Sequence, residues 1–136
     1  MLSAGAALIG IVLGALGASV LLHTWSLSRV RAAGAEREKL LAELPLEPLT
    51  GKSITDREAF RAEIAQVRRQ GYAVMDEENE AGMRAVAVPL LNSQGHAFAS
   101  LATAVPVFRL DLEDLIAHVP LLQEAAAELA ARLPQR

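Results

Sequence analysis

The residues richest in chemistry sit in one short run. Asp76-Glu77-Glu78-Asn79-Glu80 gathers four carboxylates, flanked by Met75 and Met83 and followed by Arg84. Such a run can hold a hard cation or pair with cations of its own chain. It lacks the alternating ligands and central glycine of an EF-hand loop, so calcium and magnesium are not expected. The expected role is a solvated turn, fixed by Arg84 pairing with Asp76 or Glu78. His23, His96 and His118 share no ligand spacing. There is no cysteine, which excludes disulfides, thiolate metal sites, iron–sulfur clusters and a cysteine nucleophile. No G-x-S-x-G, Ser/His/Asp arrangement with local support or phosphate-cradling glycine loop occurs. No metal, no cofactor and no enzymatic activity are therefore expected.

Composition narrows the class. The 136 residues are 52% apolar but only 4% aromatic, so the core must be built from Ala, Leu and Val. That is too apolar, at a net charge of −3, for a disordered chain. A mildly acidic chain without a basic block is a poor ligand for nucleic acid by itself. The charge is also uneven, since Arg29 is the first charged residue. Residues 1–22 leave two readings open. An uncharged run of about 20 residues can span a bilayer, and Gly10 and Gly14 form a G-x-x-x-G. Against a span stand the missing flanking cations before the run and four internal glycines. Ile11-Val12-Leu13, bounded by glycines, suits a buried strand instead.

The rest of the chain predicts the elements that must position the acidic run. Residues 24–44 read as helical with a break near Gly34, stopped by Pro45 and Pro48. A connector follows. Thr55 and Glu58 form a capping box for a helix with Phe60, Ile64 and Val67 on one face. Arg68 and Arg69 suit its last turn, and Gly71 ends it. Residues 72–75 predict a short strand, 83–91 a second and 96–104 a third. The last two are joined by the turn Asn92-Ser93-Gln94-Gly95. Asp111 caps a last helix that Pro120 kinks or divides. The class is α+β, an antiparallel sheet with flanking helices.

Several of these segments, in this order, resemble the effector-binding domain of IclR-type bacterial transcriptional regulators. The carriers are Thr55-Asp56, Val67-Arg68-Arg69-Gln70-Gly71-Tyr72-Ala73, then Asp76 to Arg84, then Val86-Ala87-Val88-Pro89. Upstream, Leu22-His23-Thr24-Trp25-Ser26-Leu27-Ser28-Arg29-Val30 is similar to the start of that family's first helix, and Leu16-Gly17-Ala18-Ser19 to its preceding turn. The resemblance covers residues 16–136 and sets apart residues 1–15 as an apolar segment, strand or membrane. It places Ile11–Leu13 in the strand entering the turn and disfavours a membrane span.

The resemblance implies a partial GAF-like sensor fold, a small-molecule effector, self-association or pairing with full-length regulators, and a cytoplasmic location. Inner-membrane anchoring through residues 1–22 is the alternative. It also implies that the winged helix-turn-helix is missing from this chain, which would make no direct DNA contact. By residue, it implies an effector site of Leu22, Ser26, Met75, Asp76, Met83, Ala85, Ala102 and Ala104. Where that family carries serine, cysteine or asparagine, this chain has Ala85, Ala102 and Ala104. Met75 stands where an acid is common. An alanine-lined site lacks groups to orient a small carboxylate, so an apolar or aromatic acid is the expected effector. Trp25, in place of a small residue, can fill the same space. Two other readings are a membrane-anchored small domain and a degenerate fragment that binds nothing.

Overall fold

In a computed structural model of the chain, residues 34–133 are described. The expected strand at Ile11–Leu13, the helix start at residues 24–33 and the apolar run 1–22 lie outside them. Among the described residues no helix is long and apolar enough to cross a membrane.

The elements run α1 (Gly34–Glu43), α2 (Arg57–Gln70), β1 (Ala73–Asp76), β2 (Met83–Leu91), β3 (Ala97–Pro106), α3 (Leu112–Ala117) and α4 (Val119–Arg132). Helix α1 stops two residues before Pro45, as that proline demands. The start of α2 differs from the expected capping box. Asp56, not Thr55, is the N-cap, and its carboxylate accepts from the Ala59 backbone N–H at 2.8 Å. Glu58 turns outward to Arg61 at 2.8 Å. Either residue type can cap, and the ionised carboxylate makes the stronger bond to a helix N-terminus. The far end of α2 is as expected: Gly71 adopts φ 81° and donates its N–H to the Val67 carbonyl.

The three strands form one antiparallel sheet in the order β1-β2-β3. The β2–β3 turn is held by Asn92, whose side-chain oxygen accepts from the N–H groups of Gln94 and His96, with Gly95 at φ 76°. Pro120 divides the last helix, and His118 stands at the junction between α3 and α4. A proline in the first turn of α4 costs nothing, because that N–H has no intrahelical partner.

Strand alternation sorts the core. Val86, Val88 and Leu90 of β2 point to one face, where they pack with Leu115, Val119, Ala126 and Ala130 of α3 and α4. Ala85 and Ala87 point to the other. There Val67 of α2 covers Ala73, Ala87 and Ala102, while Met75 and Ala85 pack with Met83 and Ala104. Helix α2 also packs Phe60 and Ile64 against Leu41 of α1. The layers are thus α3/α4, sheet, then α2 with α1 beside it.

Replacing Gly71 by alanine tests the helix stop. The added methyl would meet only Gln123 at 3.8 Å, so the cost is backbone strain alone. Urea unfolding is expected to show a loss of about 1–2 kcal/mol with an unchanged m-value.

Candidate functional site

The register brings five of the expected site residues together. Met75 pairs with Ala85, and Ala85 with Ala104; Ala87 pairs with Ala102, and Met83 opens the strand beside them. Met75, Met83, Ala85, Ala102 and Ala104 therefore share the sheet face opposite α4. Met75 and Ala85 are buried, and Ala102 and Ala104 are half-buried. Ser100, opposite Pro89, lies on this face too and is a polar group that sequence reasoning passed over. Its signal was available, because Ser100 has the same strand parity as Ala102 and Ala104. Leu22 and Ser26 lie outside the described residues.

Asp76, the sixth described residue expected in the site, stands on the opposite face. Its place next to Met75 on β1 turns its side chain to the other face of the sheet. There Arg84 donates from Nε at 2.5 Å, and its guanidinium reaches on to the Leu110 carbonyl at 3.2 Å. Asp76 thus joins an ion pair with Arg84. The expected Arg84 pairing is with Asp76 rather than Glu78.

The acidic run is a tied turn. The Glu77 N–H donates to the Met83 carbonyl, and the Gly82 N–H to the Glu77 carboxylate at 3.0 Å. Glu77 pays for this closure with a left-handed φ of 61°. Lys52 reaches Glu77 at 2.7 Å and Asp76 at 3.3 Å. Thr50 and Ser53 donate their hydroxyls to the backbone carbonyls of Glu77 and Glu78. The connector Leu49–Ser53, read from sequence as a mere link, is therefore a clamp on the turn. The carboxylates of Asp76 and Glu77 are engaged by cations and N–H groups of the chain itself.

The Arg84 guanidinium holds the Asp76 carboxyl below its ordinary 3.8, against partial burial, with Lys52 assisting. Lys52 and the Gly82 N–H lower Glu77 likewise. Glu77 and then Asp76 raise Lys52 above 10.5 in return. Depressed carboxylates stabilise the fold above their unfolded values and lose that contribution as pH falls through the folded ones. A raised lysine contributes below its unfolded value and loses this as pH climbs through the folded one.

A separate cleft of about 340 Å³ opens between α1 and α2. Leu41, Ile64 and Ala65 line it together with Arg61, Arg68 and Arg69, and none of the expected site residues does.

The described residues form an α+β domain, a three-stranded antiparallel sheet flanked by helices. Residues 11–131 match the bacterial transcriptional regulator IclR C-terminal family, and the chain belongs to it. It is 37% identical over 116 residues to SauR of Cupriavidus necator, described as a probable transcriptional regulator, covering 83% of this chain and 46% of SauR. It is 33% identical over 121 residues to the transcriptional regulator XynR of Escherichia coli, covering 87% of this chain and 48% of XynR. The chain thus spans about half the length of these relatives.

Among solved structures, the C-terminal domain of the E. coli regulator KdgR superposes with a TM-score of 0.70 at 30% identity. That match covers 79% of this chain and 66% of that domain. The inducer-binding domain of PobR from Acinetobacter, a double mutant in complex with 3-hydroxybenzoic acid, gives 0.72 at 32% identity, covering 79% and 62%. These IclR C-terminal domains are α+β and GAF-like, as is this chain.

Replacing Arg84 by methionine is expected to raise the Asp76 carboxyl back towards 3.8, read by carbon-detected NMR titration. An unmoved Asp76 would contradict the pairing. Replacing Lys52 by methionine should flatten the alkaline loss of stability above about pH 10.5 while leaving the Arg84–Asp76 pair in place.

Proposed function

We infer that this chain is the sensing part of an IclR-type regulator, and that its effector is an apolar or aromatic carboxylic acid bound on the alanine–methionine face of the sheet. The observation that carries this is the shared parity of Met75, Met83, Ala85, Ala102 and Ala104 on the face that α4 does not cover. Small side chains put little volume on this face, and methionines are adaptable walls for a flat ring. Ser100 offers one hydroxyl at the same face. One hydroxyl and a set of methyl groups favour a ligand whose surface is mostly hydrocarbon. Very small keto or hydroxy acids would lack partners for their polar atoms. The PobR relative holds a ligand of this kind, 3-hydroxybenzoic acid.

In this reading the effector favours one arrangement of the domain and thereby biases its association with other subunits. The chain works within a cytoplasmic regulator, as a self-associating subunit.

Thermal melting with a panel of acids tests the assignment. A benzoate-type acid at one hundred times its Kd should stabilise the chain by about 2.7 kcal/mol, whereas pyruvate and glyoxylate should leave the melt unmoved. Ala104→Phe, which fills the half-buried end of the face, should abolish the shift without lowering the unliganded melting temperature by more than a few degrees. The opposite selectivity, or a shift retained in Ala104→Phe, would sink the assignment.

A further inference from the structure

Helix α2 carries four arginines, and among the described residues only two of them are engaged. Arg57 donates to the Leu41 carbonyl at 2.7 Å. Arg61 pairs with Glu58 at 2.8 Å and with Glu38 at 3.3 Å. Arg68 and Arg69 have no hydrogen bond or ion pair among the described residues, and both are exposed. Both stand at the rim of the cleft between α1 and α2.

That cleft has fixed walls. Arg61, Ala65 and Arg68 follow one another at helical spacing, so they line one side of α2. Leu41 of α1 and Ile64 of α2 are buried and make an apolar floor, with Ala65 half-buried beside them. The contacts from Arg57 to Leu41 and from Arg61 to Glu38 both cross from α2 to α1 and hold the helices at this spacing. At about 340 Å³ the cleft has the size of a small-molecule site.

Its charge runs against that of the chain. Three arginines line it against one glutamate, which is already paired, in a protein of net charge −3. The carbonyls of the last turn of α2 repel an anion, so the side chains and not the helix end must supply the attraction. The start of the chain supplies no counter-charge. No residue before Glu36 is acidic, so residues 1–33 have no carboxylate to lay against Arg68 and Arg69. Covering the pair with that uncompensated segment would take guanidinium charge out of water without a partner, which is strongly unfavourable.

We propose that the α1–α2 cleft binds a small organic dianion, with its two charges on Arg68 and Arg69 and its hydrocarbon on Leu41, Ile64 and Ala65. A guanidinium presents a planar fork that takes a carboxylate or a phosphate through two parallel hydrogen bonds. Two adjacent forks select a ligand with two negative charges over one with a single charge. A dicarboxylate and a phosphate monoester share this chemistry. The site is separate from the alanine–methionine face, because none of the residues of that face lines the cleft. The proposal therefore stands or falls without the effector reading.

The test uses the full 136-residue chain, with glutarate and propyl phosphate as probes and butyrate as the control with one charge. All are compared at one ionic strength and about pH 8, where a phosphate monoester carries two charges. The Ala65 methyl and the Arg68 and Arg69 side-chain Nε–H signals are expected to shift with a dianion and to stay in place with butyrate. The tighter of the two dianions identifies the charged group that the cleft prefers. Arg68→Gln combined with Arg69→Gln should weaken binding by at least about tenfold, the loss of a charge-assisted hydrogen bond. Both side chains are exposed, so the melting temperature without ligand should not change. Ala65→Leu, which fills the floor and keeps both charges, should weaken binding as well.

Three results would overturn the proposal. One is an Ala65 methyl that moves with neither dianion. Another is binding that survives the double glutamine variant. The third is binding that survives Ala65→Leu, which places the anion on the outer surface of α2 and not in the cleft.

Discussion

Everything in this domain depends on the period of two in strand β2. Successive side chains of a strand point to opposite faces, so one nine-residue segment writes two surfaces at once. Val86, Val88 and Leu90 form the thick side, where α4 docks and where each large side chain contributes about 1.5–3 kcal/mol by leaving water. Ala85 and Ala87 form the thin side, on which there is little volume. A slip of one residue would exchange the two and leave the site filled and the core hollow. The strong core on one face therefore fixes the register that assembles the candidate site on the other.

The acidic turn protects that register at its open end. It joins β1 to β2, and its Asp76 and Glu77 carboxylates are engaged by Arg84, Lys52 and the Gly82 N–H. Thr50 and Ser53 grip its backbone from the connector before α2. Arg84 also reaches the Leu110 carbonyl just before α3, so one guanidinium spans the turn and the entry to the last helices. A cluster of carboxylates that looks like chemistry in the sequence thus acts as a fastening between segments far apart in the chain.

The sheet and most helix limits were legible because their signals are local. Gly71, Asp111, Pro120 and the turn at Asn92–Gly95 act within a few residues, and the structure uses each as its chemistry suggests. Strand β3 runs two residues beyond the expected end, to Pro106, because it keeps pairing with the start of β2 at Met83. The cap at Asp56 was missed since Thr55 and Asp56 are both good caps and only backbone geometry chooses between them. Lys52, Thr50 and Ser53 were missed for a different reason. Their partners lie about 25 residues away, and no spacing rule links a connector to a distant turn. The expected site residues came from family likeness, and strand alternation puts Met75 on the alanine face and Asp76 on the other.

The most direct test of the account is an alanine- and methionine-methyl NMR titration of the chain with 3-hydroxybenzoate. The account predicts shifts at the methyl groups of Ala85, Ala102, Ala104, Met75 and Met83, with the buried Ala126 and Ala130 methyls of α4 unmoved. Shifts confined to Ala65, in the arginine-lined cleft between α1 and α2, would contradict it.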